Sequence, residues 1–182
     1  YRTVTDDGIY VYVYNMKGTL DGEEYRLCFY DIKTKKELSV CELGGRNIRE
    51  IKIQGQTAYA ACTTYTEDYE MYDASALAID IQTGTAKWEY EQPGVGAKHL
   101  RLPENEGATD LLLTTNDNAI LIDMQSGTPS FVSGIPSEIV EANIFTDRNC
   151  FLLLCSAGEV IALSREDMMA MDMSYKFEFK SC

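Results

Sequence analysis

The chain has 182 residues, 45% of them hydrophobic, with 29 acidic against 16 basic side chains and a formal charge of −13. That apolar share supports a packed core and excludes wholesale disorder. The acidic excess argues against nucleic-acid binding, which draws its affinity from Lys and Arg on phosphates, and fits a soluble surface that prefers basic partners.

Read in chain order, the pattern is period-two alternation broken by turn residues, with almost nothing at helical spacing. The first unit parses into "YRTVT", "IYVYVYN", "YRLCFYDI" and "ELSVCEL". In its second strand Ile9, Val11 and Val13 share one face and Tyr10, Tyr12 and Tyr14 the other, so both faces are bulky and fit a strand held between two packed sheets. The second unit reads "IREIKIQ", "TAYAACTTY", "SALAIDIQ" and "AKWEYE"; the third "AKHLRL", "TDLLLTT", "AILIDM" and "PSFVS". The fourth reads "VEANIFT", "CFLLLC", "EVIALS" and "YKFEFK", and only "SREDMMAMDM" within it has any helical character. No apolar run reaches the ~20 residues of a membrane helix, so no membrane insertion is expected in this segment. The opening "YRTVTDDG" has no signal-peptide pattern.

These units repeat. Asp31, Asp80 and Asp123 each open a hairpin turn, with Ser164 in the equivalent place of the fourth unit. The spacing is roughly 40–50 residues, near the ~40–45 of a four-stranded propeller blade. In "DIQTG" the Asp80 carboxylate is placed to accept backbone N–H groups two and three residues on, while Gly84 supplies the positive φ that closes the hairpin. "DMQSG" repeats this with Asp123 and Gly127. In the first unit Lys35 stands where the glycine would be, and "SREDM" loses both signals, so those two turns are expected to be built differently. Trp88 and Phe131 occupy matching places in the outermost strands and suit packing rather than binding.

"ALAIDIQTGTAKWEYE" resembles the repeat of the pyrroloquinoline-quinone-like (WD-repeat-like) β-propellers, matching their A-x-D-x-x-T-G-x-x-x-W pattern at Ala78, Asp80, Thr83, Gly84 and Trp88. The third unit matches at Asp123 and Gly127, with Ser126 for Thr and Phe131 for Trp. The resemblance implies an all-β fold of four four-stranded antiparallel units, a four-bladed ring or part of a larger propeller. The blades are expected at about 1–45, 46–93, 94–134 and 135–182. Three closures stay open: an excerpt of a longer propeller, a half-ring completed by a partner or a second copy, or a ring of four.

The repeat is shared by quinone-dependent dehydrogenases, an outer-membrane assembly lipoprotein and sensor or scaffold domains. The enzymes of the family carry a calcium-binding Glu/Asn/Asp set, a catalytic Asp, vicinal cysteines and a Trp platform; this chain has one Trp and no adjacent cysteines. It is therefore placed in the non-enzymatic branch, with no catalytic, cofactor-binding or metal-binding residues and no cofactor expected. The single His99 lies in "AKHLRL", where a hydrogen-bonded structural histidine fits better than a base. Met168, Met169, Met171 and Met173 fit flexible packing better than a copper site. Six cysteines without a CxxC pair favour buried thiols in a reducing, cytoplasmic compartment, with disulfides in an extracytoplasmic one left open.

One feature departs from the repeat. The connections between second and third strands are long in the first two units, "NMKGTLDGEE" at Asn15–Glu24 and "TEDYEMYDA" at Thr66–Ala74, and short in the others, "NDN" and "SAG". Propeller geometry puts both on one face, so Asp21, Glu23, Glu24, Glu67, Asp68, Tyr69, Glu70, Tyr72 and Asp73 are the candidate partner-binding residues, an acidic rim bearing tyrosines suited to a protein interface. The expected function is a non-catalytic interaction scaffold or sensor, with a protein partner or self-association. The alternative is a portion of a larger ligand-binding or quinone-dependent enzymatic propeller whose active site needs further blades.

Overall fold

The fold is taken from a computed structural model, which describes residues 2–4, 8–19, 22–65, 71–103, 109–135, 137–145, 150–164 and 175–177. The described residues are strands and turns, gathered into four separate four-stranded antiparallel sheets in sequence order. The chain divides into two compact units, Tyr1–Gly96 and Ala97–Cys182, each holding two of these sheets. "SREDMMAMDM" lies outside the described residues beyond its Ser164, which ends a strand.

In the first unit, β1 (Arg2–Val4), β2 (Ile9–Thr19), β3 (Gly22–Asp31) and β4 (Lys36–Gly44) form the first sheet. The second sheet is β5 (Arg46–Gln54), β6 (Thr57–Tyr65), β7 (Met71–Asp80) and β8 (Ala86–Pro93). Val11, Leu27, Phe29, Cys41 and Leu43 from the first sheet share one core cluster with Ile51, Ala58, Ala60, Cys62, Leu77 and Ile79 from the second. Ala58, Ala60 and Cys62 on β6 leave room for the larger side chains around them, so the core fills.

β6 is buried on both faces, and its alanines are the reason it fits. On the face turned away from the first sheet, Ala78 lies directly between Tyr59 and Trp88 in register. Two strand spacings separate those residues, about 9–10 Å, yet their ring centroids are 6.1 Å apart. The rings lean together over the small side chain between them, and Trp88 is buried, as packing against a neighbour required.

The repeated turn is built as its spelling demands. Asp80 Oδ1 accepts the N–H groups of Gln82 at 2.9 Å and Thr83 at 3.1 Å, and Gly84 closes the turn with φ +71°. Asp123 Oδ1 does the same for Gln125 and Ser126, at 3.1 and 2.7 Å, with Gly127 at φ +73°. The first unit corrects the expectation of a different turn. Asp31 Oδ1 accepts the N–H groups of Lys33 and Thr34 at 2.8 and 3.2 Å, and Lys35 itself takes φ +57°. Hydrogen bonds from the Thr34 side chain and backbone hold the Asp31 carboxyl below its usual range. The turn is strong enough to force a lysine into the left-handed region at a cost of about 1–2 kcal/mol. Lys35→Gly is accordingly expected to stabilise the protein by about 1 kcal/mol, read as a rise in the urea midpoint; an unchanged or lowered midpoint would show that the strain is not there.

The second unit has a third sheet of β9 (His99–Arg101), β10 (Asp110–Thr114), β11 (Asn118–Asp123) and β12 (Pro129–Gly134). Its fourth sheet is β13 (Ile139–Phe145), β14 (Cys150–Cys155), β15 (Val160–Ser164) and β16 (Tyr175–Phe177). Leu112, Ala119 and Leu121 share a core cluster with Ile139, Ala142, Phe151, Leu153 and Ile161. The β10–β11 turn is as tight as "NDN" suggested, with Thr115 N–H donating to the Asn118 carbonyl at 3.0 Å. Cys28, Cys41, Cys62 and Cys155 are buried free thiols. Burial pushes the Cys62 thiol up to about 12.

Candidate interaction face

Both overlong hairpins sit in the first unit, and short-range pairing brings their ends to one side of it. β4 ends at Gly44, opposite Tyr25, and one residue later β5 begins at Arg46, opposite Thr64. Asn47 Nδ2 donates to Tyr25 Oη at 3.3 Å, tying the two sheets together at this end. Thr64 in turn lies opposite Asp73, and Asp73 opposite Pro93.

Asn15–Thr19 and Gly22–Glu24 are strand rather than loop, which corrects the reading of those parts of the stretch. β2 and β3 continue to pair through Asn15 with Tyr25, Met16 with Glu24, and Thr19 with Gly22. Past Tyr25 neither strand has another partner in its sheet, so the segment is a two-stranded ribbon standing beyond the sheet. Backbone groups satisfy each other along it, a cheaper solution than a ten-residue irregular loop. β2 and β3 therefore run 11 and 10 residues, where the equivalent β10, β11, β14 and β15 run 5, 6, 6 and 5. The second stretch is corrected in part, because Met71–Ala74 belongs to β7.

Of the candidate residues, Glu23 and Glu24 are on the ribbon and Glu24 is exposed. Tyr72 and Asp73 are strand residues of β7, at the same end of the unit. Asp73 has a structural task, since its Oδ1 accepts the Gly94 N–H at 2.9 Å just past β8. Asp21, Glu67, Asp68, Tyr69 and Glu70 lie outside the described residues.

Charge pairs surround this end. Arg26 Nε donates to Glu42 Oε2 at 2.8 Å, and Arg49 to the Tyr65 hydroxyl at 3.2 Å. Arg46 pairs with Glu89, and with Glu91 at 3.4 Å. Cys62 and Ser75 lie in register between the start of β5 and Glu91, so the arginine has small side chains to cross. Burial raises the Glu89 carboxyl, with Arg46 opposing and Glu91 reinforcing the shift. Period two in "WEYEQ" places Glu89 and Glu91 on one face, but their partner is over forty residues away, and sequence reading missed it.

In the second unit the cations of β9 and the residue before it bind backbone. Lys98 Nζ reaches the Ile139 carbonyl at 3.0 Å and Arg101 Nε that of Ala142 at 2.6 Å. His99 Nε2 lies 3.1 Å from the Val140 carbonyl, which only accepts, so this nitrogen carries the proton. β13 is an edge strand, and these side chains cover its exposed carbonyls. His99 is the hydrogen-bonded structural histidine expected. Among the described residues no group of His, Cys, Asp and Glu is placed to hold a metal ion, and no helix is long and apolar enough to cross a membrane.

No protein-family model and no curated protein matches the sequence. Solved structures do match. The computationally designed protein Ika4 superimposes with a TM-score of 0.63 at 15% identity, over 88% of each chain. The β-propeller domain of Cps50 (Swd1) from Myceliophteria thermophila gives 0.68 at 12% identity, over 99% of this chain and 55% of that one. BamB from Moraxella catarrhalis gives 0.55 at 12%, over 94% of this chain and 50% of that one. The chain thus spans about half the length of the last two. With four antiparallel four-stranded sheets in sequence order and these neighbours, the chain has the all-β fold of propeller blades.

Proposed function

We propose that this chain is a non-catalytic propeller module of the pyrroloquinoline-quinone-like repeat type, acting as a protein-interaction scaffold or sensor. The observation that carries the proposal is the β2–β3 ribbon, which extends past the pairing of its sheet and bears Glu23 and the exposed Glu24. An isolated two-stranded ribbon is marginal in water, and a partner lying along it would supply the missing contacts. The surrounding acidic balance, −13 over the chain, selects a basic partner.

The test uses a fluorescent Lys/Arg-rich peptide as the probe partner. The whole chain is expected to bind it with an affinity that falls as salt rises. Replacing residues 16–24 by an Asn-Gly turn, which keeps Asn15 opposite Tyr25, is expected to weaken binding at least about tenfold, roughly 1.4 kcal/mol, while circular dichroism stays that of a folded β protein. Equal affinity of the shortened chain would remove the ribbon from the proposal. A second reading, a portion of a larger ligand-binding or quinone-dependent propeller, is supported by the chain spanning 50% and 55% of two matched structures.

A further inference from the structure

Blade faces in this protein follow a rule that can be counted from the turn residue. Residues two and four places before Asp31 and Asp123, namely Phe29, Leu27, Leu121 and Ala119, pack toward the following blade. Residues one and three places before Asp80, Ile79 and Leu77, pack toward the preceding one, as does Ile161, three before Ser164. Every such seam within a unit therefore joins the trailing face of one blade to the leading face of the next. In both units the filling is mainly aliphatic, with aromatic rings from Tyr25 and Phe29 or from Phe151.

The same count identifies four faces outside these seams, and those of the first and fourth blades carry half-buried or exposed side chains. On the fourth blade the trailing positions are Ala162 and Val160, which lie opposite Leu152 and Leu154 on β14. β14 and β15 add no charge to this face, Glu141 opposite Leu154 on β13 is paired with Arg101 at 2.8 Å, and Leu154 is 43% exposed, one of three large hydrophobic side chains exposed among the described residues. An antiparallel sheet that faces water alternates apolar with polar positions; β14, written "CFLLLC", does not. Such a surface is the chemistry of an association site.

On the first blade the leading positions are Tyr30 and Cys28, opposite Tyr10 and Tyr12 on β2. The three rings form a ladder, with centroids 5.9 Å apart from Tyr10 to Tyr12 and 5.7 Å from Tyr12 to Tyr30. The acids at its margin have hydrogen-bond partners, and Arg2 on β1 lies opposite Tyr12. Glu42 pairs with Arg26, and Glu37 accepts the Tyr30 hydroxyl at 2.8 Å. Rigid half-buried tyrosines beside satisfied charges are a surface that an aliphatic sheet can cover without stranding an acid.

We infer that these two faces are partners between chains: a second copy of this protein seats the tyrosine ladder of its first blade on the Leu152–Leu154–Val160 face of the fourth. The argument is continuity. The seam joins trailing to leading face, as the seams inside each unit do, and places aromatic against aliphatic side chains. In the facing rows Glu141 is paired with Arg101 and Glu37 accepts the Tyr30 hydroxyl, so the contact strands no acid without a partner. Because the two faces differ, the contact is head to tail rather than self-complementary.

Light scattering across the micromolar range provides the test. The chain is expected to have the mass of two or more copies, and both Leu154→Asp and Tyr10→Asp are expected to bring it to one copy. Circular dichroism keeps each variant honest as a folded protein, and Leu152→Asp serves if Leu154→Asp fails to fold. Mixing the Leu154 and Tyr10 variants is expected to restore a mass of two, because one intact face survives on each; a self-complementary contact would not recover. A folded wild-type chain that stays single throughout the range overturns the inference. So does an assembly that survives Leu154→Asp. Binding of the basic peptide at the ribbon is measured separately, and either result can fail without the other.

Discussion

Replacing Gly84 by alanine is expected to cost about 2–5 kcal/mol of unfolding free energy, far more than a surface turn substitution. Two penalties add. The residue sits at φ +71°, where a side chain costs about 1–2 kcal/mol. A Cβ there would also fall 2.3 Å from the Val40 carbonyl oxygen and 2.7 Å from its carbon, so backbone would have to move, and overpacking of that kind costs about 1–3 kcal/mol. The close approach exists because the β7–β8 turn of the second blade docks on β4 of the first, where Ser39 Oγ also donates to the Ile81 carbonyl at 2.6 Å. Gly55→Ala is the control. It has φ +58° with nothing within 4 Å of a built Cβ, so it should lose only the conformational part, about 1–2 kcal/mol. Urea denaturation of the three proteins measures the difference. Equal losses for the two variants would mean that the turn does not rest on β4.

Trp88→Ala is expected to be at least as damaging, about 3–5 kcal/mol. The indole is buried and packs beside Tyr59 over Ala78, so truncation leaves a void that small neighbours cannot fill. Trp88→Phe keeps an aromatic ring against Tyr59 and should lose no more than about half as much. Since this is the only tryptophan, its emission in the parent chain should shift to the red on unfolding, and the variants are followed by circular dichroism instead. A loss under about 1 kcal/mol for Trp88→Ala would mean that the ring is not part of the core.

The strands were legible because alternation is a property of the backbone itself, and two of the turns because an Asp carboxylate and a glycine act within five residues. Lys35 was not legible as a left-handed residue. Its intrinsic preference opposes that conformation, and only the pairing of β3 with β4 overrides it. The stretch Asn15–Glu24 was misread for a related reason. Gly, Thr and Asp there spell a loop by composition, whereas two strands already paired from Ile9 to Tyr25 extend their ladder at little added cost. Of the rim, only the position of Tyr72, Asp73, Glu23 and Glu24 at one end of the first unit is seen, and Asp73 turns out to secure Gly94.

What this sequence determined by itself is the blade: a period of two along each strand, a spacing of roughly 40–50 residues between repeats, and an Asx turn at a fixed place in the second and third of them. The alternation and the turn are local signals, and a few residues carry each one. The tertiary structure decided which distant groups meet: Arg46 with Glu89, His99 with the Val140 carbonyl, Gly84 with the backbone of Val40. Each of these joins residues some forty positions apart, and their energies depend on ångström-scale approach between separate strands or sheets, which no pattern along the chain encodes.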